Sequence, residues 1–386
     1  MVPNGWIKTT LGNLTKGSAF GPRFSSDLYL ENGSVGVIRT TDLDAEGNIN
    51  YSTIPYANVP ESFDAHHLEE GDLLITRSGT CGIPCIFQKQ AKPIVAGAFL
   101  IRFILNEKVN AAFLHALLKS KDVQVSIQNL ASGGVQKNLT GTNLKKLELC
   151  IPPIPEQKKI AQILSTWDQA ILATEKLLEN SQQQKKALMQ QLLTGKKRLL
   201  DDRGDLFESK FKSSVLKELF SINKGQQLNR NTLSTQGNYA VINGGIEPSG
   251  YTDVYNVESN TITISEGGNS CGYISFQRFP FWCGGHCYAL SNYKLNIEFI
   301  YHLLKFNERQ IMRLRVGSGL PNIQKKDLEC LVVSYPDCEF EQAKIADVLS
   351  LADQEIETLQ KKLDYLKQEK KALMQQLLTG KRRVKV

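Results

Sequence analysis

The chain has 386 residues, 41% of them hydrophobic and 22% charged, and its 46 Lys and Arg against 39 Asp and Glu give a net charge of +7. This composition is typical of two or three globular domains and excludes a disordered chain, while the moderate positive charge suits a polyanionic partner without requiring one. The sequence contains neither an apolar run long enough to span a membrane nor the apolar core of a signal peptide. We therefore expect a cytoplasmic protein with no membrane partner.

The first 155 residues predict a strand-rich α+β domain, here called head 1. Short runs of β-forming residues alternate with turns rich in Gly, Asn, Asp and Pro. The predicted strands are Val35–Arg39, Asp72–Thr76 and Ala98–Leu105, and the predicted helix is Val109–Leu118.

A long helix is predicted over residues 156–196, directly after head 1. Three prolines precede it, and Glu156 would lie close to its positively charged N-terminal end. Gly195 suits its C-terminal end, and the cations that follow suit the negative end of the helix dipole.

Residues 197–212 are predicted to be a charged linker. Asp205, Glu208 and Lys210 within it have the order of a nuclease motif. Such short acidic patterns arise by chance, so we expect no catalytic residue here.

Residues 213–340 predict a second strand-rich α+β domain, here called head 2. Its predicted strands are Ala240–Ile242, Thr261–Ser265 and Tyr273–Gln277, and its predicted helix is Ile297–Leu304.

Head 2 also contains a group of residue types that bind zinc, namely Cys271, Cys283, His286 and Cys287. Their spacing does not match the paired Cys and His motifs of tetrahedral sites. The chain has eight cysteines and no extracellular signal, which predicts reduced thiols. We therefore expect a core strand at this place and no metal.

A second long helix is predicted over residues 341–381, followed by a basic tail at residues 382–386. It repeats the first helix without a gap at an offset of 185 residues (341 − 156), and the segment KKALMQQLLTGK occurs unchanged in both. A fixed offset over about forty residues indicates a packed periodic element, because loops tolerate insertions and such an element does not.

Both long helices carry apolar residues at alternating steps of three and four, the pattern of a coiled coil. The predicted coiled-coil and partner-docking residues are Ile160, Leu164, Trp167, Ile171, Leu178, Leu188 and Leu192 in the first helix and Ile345, Leu349, Ile356, Leu363, Leu373 and Leu377 in the second. Thr174, Ser181, Lys185 and Lys370 interrupt the stripes and would fix the register. Similar halves tend to associate about a two-fold axis, which predicts antiparallel helices with pseudo-two-fold symmetry and a head at each end.

The two heads resemble each other more loosely than the helices do. Lys16-Gly17 aligns with Lys224-Gly225 at an offset of 208 residues (224 − 16), and Asn138 aligns with Asn322 at 184 (322 − 138). A changing offset predicts insertions and deletions in surface loops.

Polar residues on glycine-flanked loops recur at corresponding places in both heads. Base edges and phosphates need donors and acceptors on backbone that can approach closely, so these loops are candidates to contact DNA. The candidates in head 1 are Lys16, Arg23, Arg39, Thr41, Arg77, Ser78, Thr80, Lys137 and Asn138. Those in head 2 are Lys224, Gln227, Arg230, Asn243, Asn269, Ser270, Arg278 and Asn322.

Two kinds of enzyme motif are missing from the sequence. It has no F-x-G-x-G and no N-P-P-Y or D-P-P-Y, which an adenine methyltransferase needs. The Gly-Lys pairs at residues 195–196 and 380–381 lack the upstream glycine of a phosphate-binding loop. We expect neither a methyl-donor pocket nor nucleotide hydrolysis in this chain.

The chain resembles the specificity subunit of type I restriction-modification systems over essentially its whole length. The resemblance lies in the order of the segments, in Pro153-Ile-Pro-Glu-Gln-Lys-Lys-Ile-Ala161, in Glu341-Gln-Ala-Lys-Ile-Ala346, and in the two Leu-Leu-Thr-Gly-Lys endings. The second copy departs from the pattern at residues 338–340, where Cys-Glu-Phe replaces the proline-containing segment of the first copy.

This resemblance implies a non-catalytic chain with two target-recognition domains, each recognising one half of a bipartite double-stranded DNA site. The long helices would set the separation and dock two methyltransferase (modification) subunits. The implied cofactors belong to partners: S-adenosylmethionine to the modification subunits, and ATP and Mg to the restriction and translocase subunits.

A structural coiled-coil adaptor without a nucleic-acid role is the alternative hypothesis. Its associations would be insensitive to salt, whereas contacts with phosphates weaken steeply as the salt concentration rises.

Overall fold

The structure is a computed structural model that describes residues 2–23, 25–131, 138–229, 231, 233–317, 319 and 321–385. It forms two compact units: unit 1 comprises Met1–Thr174 and Lys362–Val386, and unit 2 comprises Glu175–Lys361. Each unit therefore contains one head and part of both long helices.

Among its described residues, unit 1 has nine strands in three small sheets. The strands are β1 (Ile7–Thr10), β2 (Thr15–Phe20), β3 (Val35–Ile38), β4 (Tyr56–Ala57), β5 (Leu73–Thr76), β6 (Pro84–Ile86), β7 (Ile94–Ala96), β8 (Leu100–Leu105) and β9 (Glu148–Ile151). The helices of head 1 are α1 (Ala111–Lys119), α2 (Lys121–Leu130) and α3 (Gly141–Lys145), and the long helix α4 (Ile154–Leu192) follows them. The sheets have the strand orders β1-β9, β2-β8-β5-β6 and β4-β3-β7, and only β3 and β7 among these pairs run parallel.

Unit 2 repeats this topology. Its strands are β10 (Phe211–Val215), β11 (Ser221–Lys224), β12 (Tyr239–Ile242), β13 (Tyr251–Thr252), β14 (Thr261–Ser265), β15 (Ile274–Gln277), β16 (Trp282–Cys283), β17 (Cys287–Ser291) and β18 (Val332–Pro336). The helices are α5 (Leu216–Leu219), α6 (Ile297–Arg313), α7 (Lys325–Glu329) and the long α8 (Glu339–Leu377). The strand orders β10-β18, β11-β17-β14-β15 and β13-β12-β16 match those of unit 1, including one parallel pair.

The predicted α+β class and the predicted strands are confirmed, and two helices differ from the prediction. Helix α6 continues nine residues beyond Leu304, because Ile311 extends its buried face into the core of unit 2. Helix α2, whose only buried residue is Ile127, was not predicted.

The long helices were predicted at 156–196 and 341–381, but they begin and end earlier than that. They begin at Ile154 and Glu339 and end at Leu192 and Leu377. The last predicted residues form a turn instead, in which Gly195 has a φ of +71° and Gly380 a φ of +68°. Glycine adopts this left-handed conformation without the strain of a side chain.

The first turns of each long helix belong to the core of a head. Ile160 and Leu164 pack in the core of unit 1, and Ile345 and Leu349 pack in the core of unit 2. All thirteen predicted stripe residues are buried or half-buried. A coiled coil and a two-fold relation between the units remain predictions.

Within each unit the segments of α4 and α8 run antiparallel and are joined by an ion pair. In unit 1 Lys370 contacts Asp168, and in unit 2 Lys185 contacts Asp353. Both lysines interrupt the apolar stripes in the sequence. Each therefore has a carboxylate partner on the opposite helix, as a residue that fixes the register would.

The free energy of unfolding should fall as the pH is lowered from 6.5, because of a buried histidine in unit 2. Burial, and then the charge of Lys185, lower the pKa of His302 from 6.5 to about 4. The folded state keeps this imidazole neutral while the unfolded chain protonates, so its stabilising contribution is complete above pH 6.5 and is lost toward pH 4. We expect a loss of about 1.4 kcal/mol per pH unit within this window.

Urea denaturation between pH 7 and pH 5 measures this effect. His302→Phe should roughly halve the dependence on pH in this window, because burial also lowers the pKa of His115 in unit 1 to about 4. The same change at the exposed His286 is the control. Equal slopes for the two variants would show that the imidazole of His302 is not the cause. The Nε2 atom of His302 lies 3.0 Å from Ser350 Oγ, and Nδ1 lies 3.9 Å from Asp353 Oδ2.

Candidate nucleic-acid interface

In unit 1, backbone hydrogen bonds hold four chain segments at one edge of the head. The Gly97 N–H donates to Ile38 O at 2.8 Å, and the Arg77 N–H donates to Phe99 O at 2.9 Å. The Leu139 N–H donates to Arg77 O at 2.9 Å. The ends of β3 and β5 are thus fixed to the segment before β8 and to the segment before α3.

Unit 2 contains the same set of backbone hydrogen bonds. The Gly284 N–H donates to Ile242 O at 2.8 Å, and the Glu266 N–H donates to His286 O at 2.9 Å. The Ile323 N–H donates to Glu266 O at 2.9 Å. We call this common arrangement the frame.

Five positions at or beside the frame correspond in the two heads. In unit 1 they hold Phe20, Arg39, Arg77, Phe99 and Asn138. In unit 2 they hold Lys224, Asn243, Glu266, His286 and Asn322. The backbone is shared and the side chains are not, apart from the one pair of asparagines.

The sequence alignment that matched Lys16 with Lys224 is wrong. In the pairing of β2 with β8, Phe20 takes the place that Lys224 takes in the pairing of β11 with β17. Phe20 and Lys224 therefore correspond, at an offset of 204 (224 − 20). The register of β2 shifts between Thr15 and Gly17, and this bulge accommodates one more residue than β11 has. Lys16 lies in the bulge, about 13 Å along the strand from Phe20.

A close approach of two chain segments requires glycine beside the frame. A Cβ atom on Gly21 would lie 2.2 Å from the carbonyl oxygens of Ala96 and Gly97. A Cβ atom on Gly225 would lie 2.2 Å from Gly284 O. Neither position accepts another residue without moving the backbone, so the end of β2 or β11 stays against the loop that carries the frame.

The side chains of Arg77, Phe20 and Asn138 form one cluster in unit 1. The Arg77 Cζ atom lies 4.4 Å from the centroid of the Phe20 ring, and the Nε of Arg77 donates to Asn138 Oδ1 at 3.3 Å. Ser78 forms a β-bridge with Asn138. Three of the predicted residues are therefore together at this edge.

Arg39 has a structural partner close by. Its Nη2 and Nε donate to the buried carboxylate of Asp42 at 2.8 and 3.0 Å, and Nη2 also donates to Thr53 O. Burial opposes ionisation of Asp42, but the hydrogen bonds from Arg39 outweigh it and lower the pKa of this carboxyl. The guanidinium of Arg39 is thus engaged in holding its own loop.

In unit 2 the corresponding cluster carries an acid. Lys224 Nζ contacts Glu266 Oε1 at 2.7 Å, and the Tyr288 hydroxyl donates to the same oxygen at 3.1 Å. The second oxygen, Oε2, is buried and has no hydrogen-bond partner among the described residues. Where unit 1 has a cation beside an aromatic ring, unit 2 has a carboxylate beside a lysine.

The remaining frame residues of unit 2 lie on three separate segments, which follow β12, precede β17 and precede α7. Asn243 Oδ1 accepts from the His286 N–H at 3.2 Å, and Asn322 Oδ1 accepts from Gln324 Nε2 at 3.0 Å. A cleft beside them is lined by both Gln227 and Asn243. Gln227 and Asn243, both predicted, therefore share one surface.

A family model, the type I restriction modification DNA specificity domain, matches residues 3–181 and 208–368. The chain belongs to this family. A protein named as a type I specificity subunit from Mycoplasma genitalium is 34% identical over 148 residues, which cover 38% of each chain. A protein named as a type I restriction enzyme specificity subunit from Methanocaldococcus jannaschii is 27% identical over 356 residues, covering 84% of this chain and 81% of that one. The aligned part of the chain thus spans well under half of the first relative and most of the second.

The fold of the family is also found among solved structures. The S subunit of a type I restriction-modification system from M. genitalium has a TM-score of 0.71 to this chain, with 22% identity over 98% of this chain and 99% of that chain. Both heads and both long helices therefore follow a known specificity-subunit fold.

Several predicted residues lie apart from the frame. Arg278 lies at the end of β15 opposite the 266–273 turn, with its guanidinium 5.2 Å from the Phe276 ring centroid. Arg23, Thr41, Thr80 and Asn269 are exposed, and Ser270 Oγ donates to Gly244 O at 2.6 Å. Lys137 and Arg230 lie outside the described residues.

The strand predicted at the cysteine cluster is confirmed. Cys283 ends β16 and Cys287 begins β17, and both are buried. In the part of the chain that the structure describes, no three His, Cys, Asp or Glu residues are placed to hold a metal ion. Nor does any helix within those residues have the length and apolar character to cross a membrane.

Sequence reasoning missed an ion pair at the start of each long helix. Arg383 donates to the buried Glu156 carboxylate from Nε and Nη2, each at 2.7 Å. Arg198 donates to the buried Glu341 carboxylate at 2.7 and 2.6 Å. The signal was present, because the two arginines have the same 185-residue offset as the two glutamates.

Proposed function

We propose that this chain is the DNA-recognising subunit of a type I restriction-modification complex, in which each head recognises one half of a bipartite site. The observation that supports this is the frame, which holds unlike side chains at corresponding positions of two similar heads. Two different half-sequences require a fixed backbone that presents different donors and acceptors. Arg77 beside Phe20 and Glu266 beside Lys224 are such a difference.

The long helices are proposed to set the separation of the half-sites and to dock two methyltransferase subunits. Exposed apolar side chains on α4 and α8 support a docking role, because a helix surface without a partner is usually polar. These side chains are Leu172, Leu177, Leu351 and Tyr365.

The chemistry is assigned to the partners. The chain itself is proposed to be non-catalytic and to act in the cytoplasm. Modification subunits would bring S-adenosylmethionine, and restriction and translocase subunits would bring ATP and Mg. The missing methyltransferase and phosphate-loop motifs support this division.

Exchanging residues 213–340 for the corresponding head of another family member should change one half of the methylated sequence only. The reason is that the frame of head 2 lies entirely within the exchanged residues, while the long-helix residues that complete its core, such as Leu192 and Ile345, stay in place. Genome-wide mapping of methylated adenine in a host that expresses the exchanged chain measures the outcome. A change in both half-sequences would contradict independent heads.

The adaptor hypothesis makes the opposite prediction about salt. Phosphate contacts release counterions, so log K for a duplex should fall linearly with log salt, by roughly 0.9 per neutralised phosphate. Binding of the full chain and its modification partner to a duplex is measured between 50 and 200 mM salt, about the range over which this effect spans several orders of magnitude. A flat dependence, or no preference among duplex sequences, would favour the adaptor.

A further inference from the structure

The backbone of Arg77 is held on both sides by the frame. Its N–H donates to Phe99 O at 2.9 Å, and its carbonyl accepts from the Leu139 N–H at 2.9 Å and from Cys81 Sγ at 3.0 Å. The position of its Cα is therefore set by three segments of the head, and a side chain that starts here has a defined origin.

The side chain of Arg77 is oriented as well. Phe20 covers one face of the guanidinium, and Asn138 Oδ1 accepts from Nε. Among the residues that the structure describes, nothing accepts a hydrogen bond from Nη1 or Nη2 of Arg77. The planar group is thus fixed, and its outer edge keeps donors for a ligand.

The donor pattern of that edge selects among the bases. Guanine presents two acceptors, O6 and N7, side by side in the major groove, and the other bases do not. A guanidinium makes two parallel hydrogen bonds to such a pair. Because the Arg77 plane is already held, less conformational entropy is lost when these bonds form.

A phosphate would also accept from this fork, but the surroundings favour a base. Phe20, whose ring lies against the Arg77 guanidinium, is 44% exposed, and Phe99, whose carbonyl oxygen accepts from the Arg77 N–H, is 55% exposed. Exposed apolar rings fit base edges and the thymine methyl group better than they fit a hydrated phosphate.

The corresponding position in unit 2 has the opposite chemistry. Glu266 occupies it, and its Oε1 atom is engaged by Lys224 and Tyr288. A carboxylate does not donate to O6 and N7. The two heads therefore differ in the base that this position can accept.

We propose that Arg77 donates from its two terminal amino groups to O6 and N7 of a guanine and thereby specifies that base in the half-site recognised by unit 1. This inference rests on the proposed function. Phe20 and Asn138 act as positioning residues, which hold the plane of the guanidinium.

The test uses the full chain with its modification partner and a library of duplexes randomised in both half-sites. Arg77→Met keeps an apolar side chain over the Phe20 ring and removes the donors. We expect it to reduce the preference for guanine at a single position of one half-site by roughly 5- to 150-fold, with the other positions unchanged. Phe20→Ala should reduce the preference at the same position by a smaller factor, since it only frees the guanidinium.

Arg278→Ala is the matched control, because Arg278 also lies over a phenylalanine ring but in unit 2. It should leave every position of the first half-site unchanged. Retention of the second half-site preference by Arg77→Met shows that the variant is folded, and Arg77→Ala is the substitute if it is not.

Two results would overturn the assignment while the proposed function stands. One is a uniform loss of affinity for all sequences with a salt slope reduced by about one, which is the behaviour of a phosphate contact. The other is a wild-type preference in both half-sites that Arg77→Met does not alter. A wild-type chain without any sequence preference would instead overturn both proposals.

Discussion

Replacing Arg198 by alanine is expected to lower the free energy of unfolding by about 3 kcal/mol, because it leaves a buried charge without its partner. The carboxylate of Glu341 is 1% exposed and receives two hydrogen bonds from Arg198 and one from Ser209 Oγ at 2.6 Å. Chemical denaturation monitored by circular dichroism measures the loss.

Three further variants make this experiment specific. Lys196→Ala removes an exposed cation from the same segment and should change stability by no more than about 0.5 kcal/mol. Arg383→Ala removes the equivalent partner in unit 1 and should cost less than Arg198→Ala, because Arg383 is more exposed, at 43% against 21%. Adding Glu341→Leu to Arg198→Ala should restore much of the loss. If that double variant were as unstable as Arg198→Ala, the unpaired charge would not be the cause.

Deleting residues 171–177 from α4 together with residues 356–362 from α8 is expected to shorten the spacer between the two half-sequences by about three base pairs. Seven residues are close to two helical turns and about 10 Å, so each helix keeps its faces while it shortens. Both Lys–Asp contacts between the helices lie outside the deleted segments. The expectation rests on the proposed function, and methylation mapping gives the spacer.

The two single deletions are the controls for the matched one. A single deletion leaves α4 and α8 with different lengths between the two Lys–Asp contacts, so both contacts cannot form at once. At least one unit therefore loses the contacts between its α4 and α8 segments. We expect low stability and little methylation from either. An unchanged spacer in the matched variant, with both half-sequences still recognised, would show that the helices do not set the distance.

The long helices and the order of the domains could be predicted from the sequence, because apolar periodicity and a gapless repeat can be recognised along the chain itself. It placed the first helical residue within two positions, but it extended each helix by four residues, 193–196 and 378–381, which lie beyond the helix end and include the Gly-Lys pair. It also assigned Arg198 to the helix dipole, whereas this residue binds Glu341, which is 143 positions away in the sequence.

The correspondence between the heads could not be predicted from residue identity. Lys16-Gly17 and Lys224-Gly225 have the same letters, but the bulge in β2 moves Phe20 into the place of Lys224. For the same reason Phe20, Phe99, Glu266 and His286 were not among the candidates, while Lys16 was. The pairing of backbone N–H and carbonyl groups in the frame depends on the tertiary structure, and no pattern along the sequence predicts it.

The frame has a consequence for how new specificities can arise in this protein. Its hydrogen bonds join main-chain atoms, so nearly any residue can occupy the five positions without losing them, as Phe20 and Lys224 or Arg77 and Glu266 illustrate. At Arg77 the backbone atoms that hold the frame are therefore distinct from the side-chain atoms proposed to bind a base, whereas the side chain of Arg39 also holds the buried Asp42. If the proposed function holds, a mutation at position 77 would alter the base preference in a single step and leave the backbone hydrogen bonds of the frame in place.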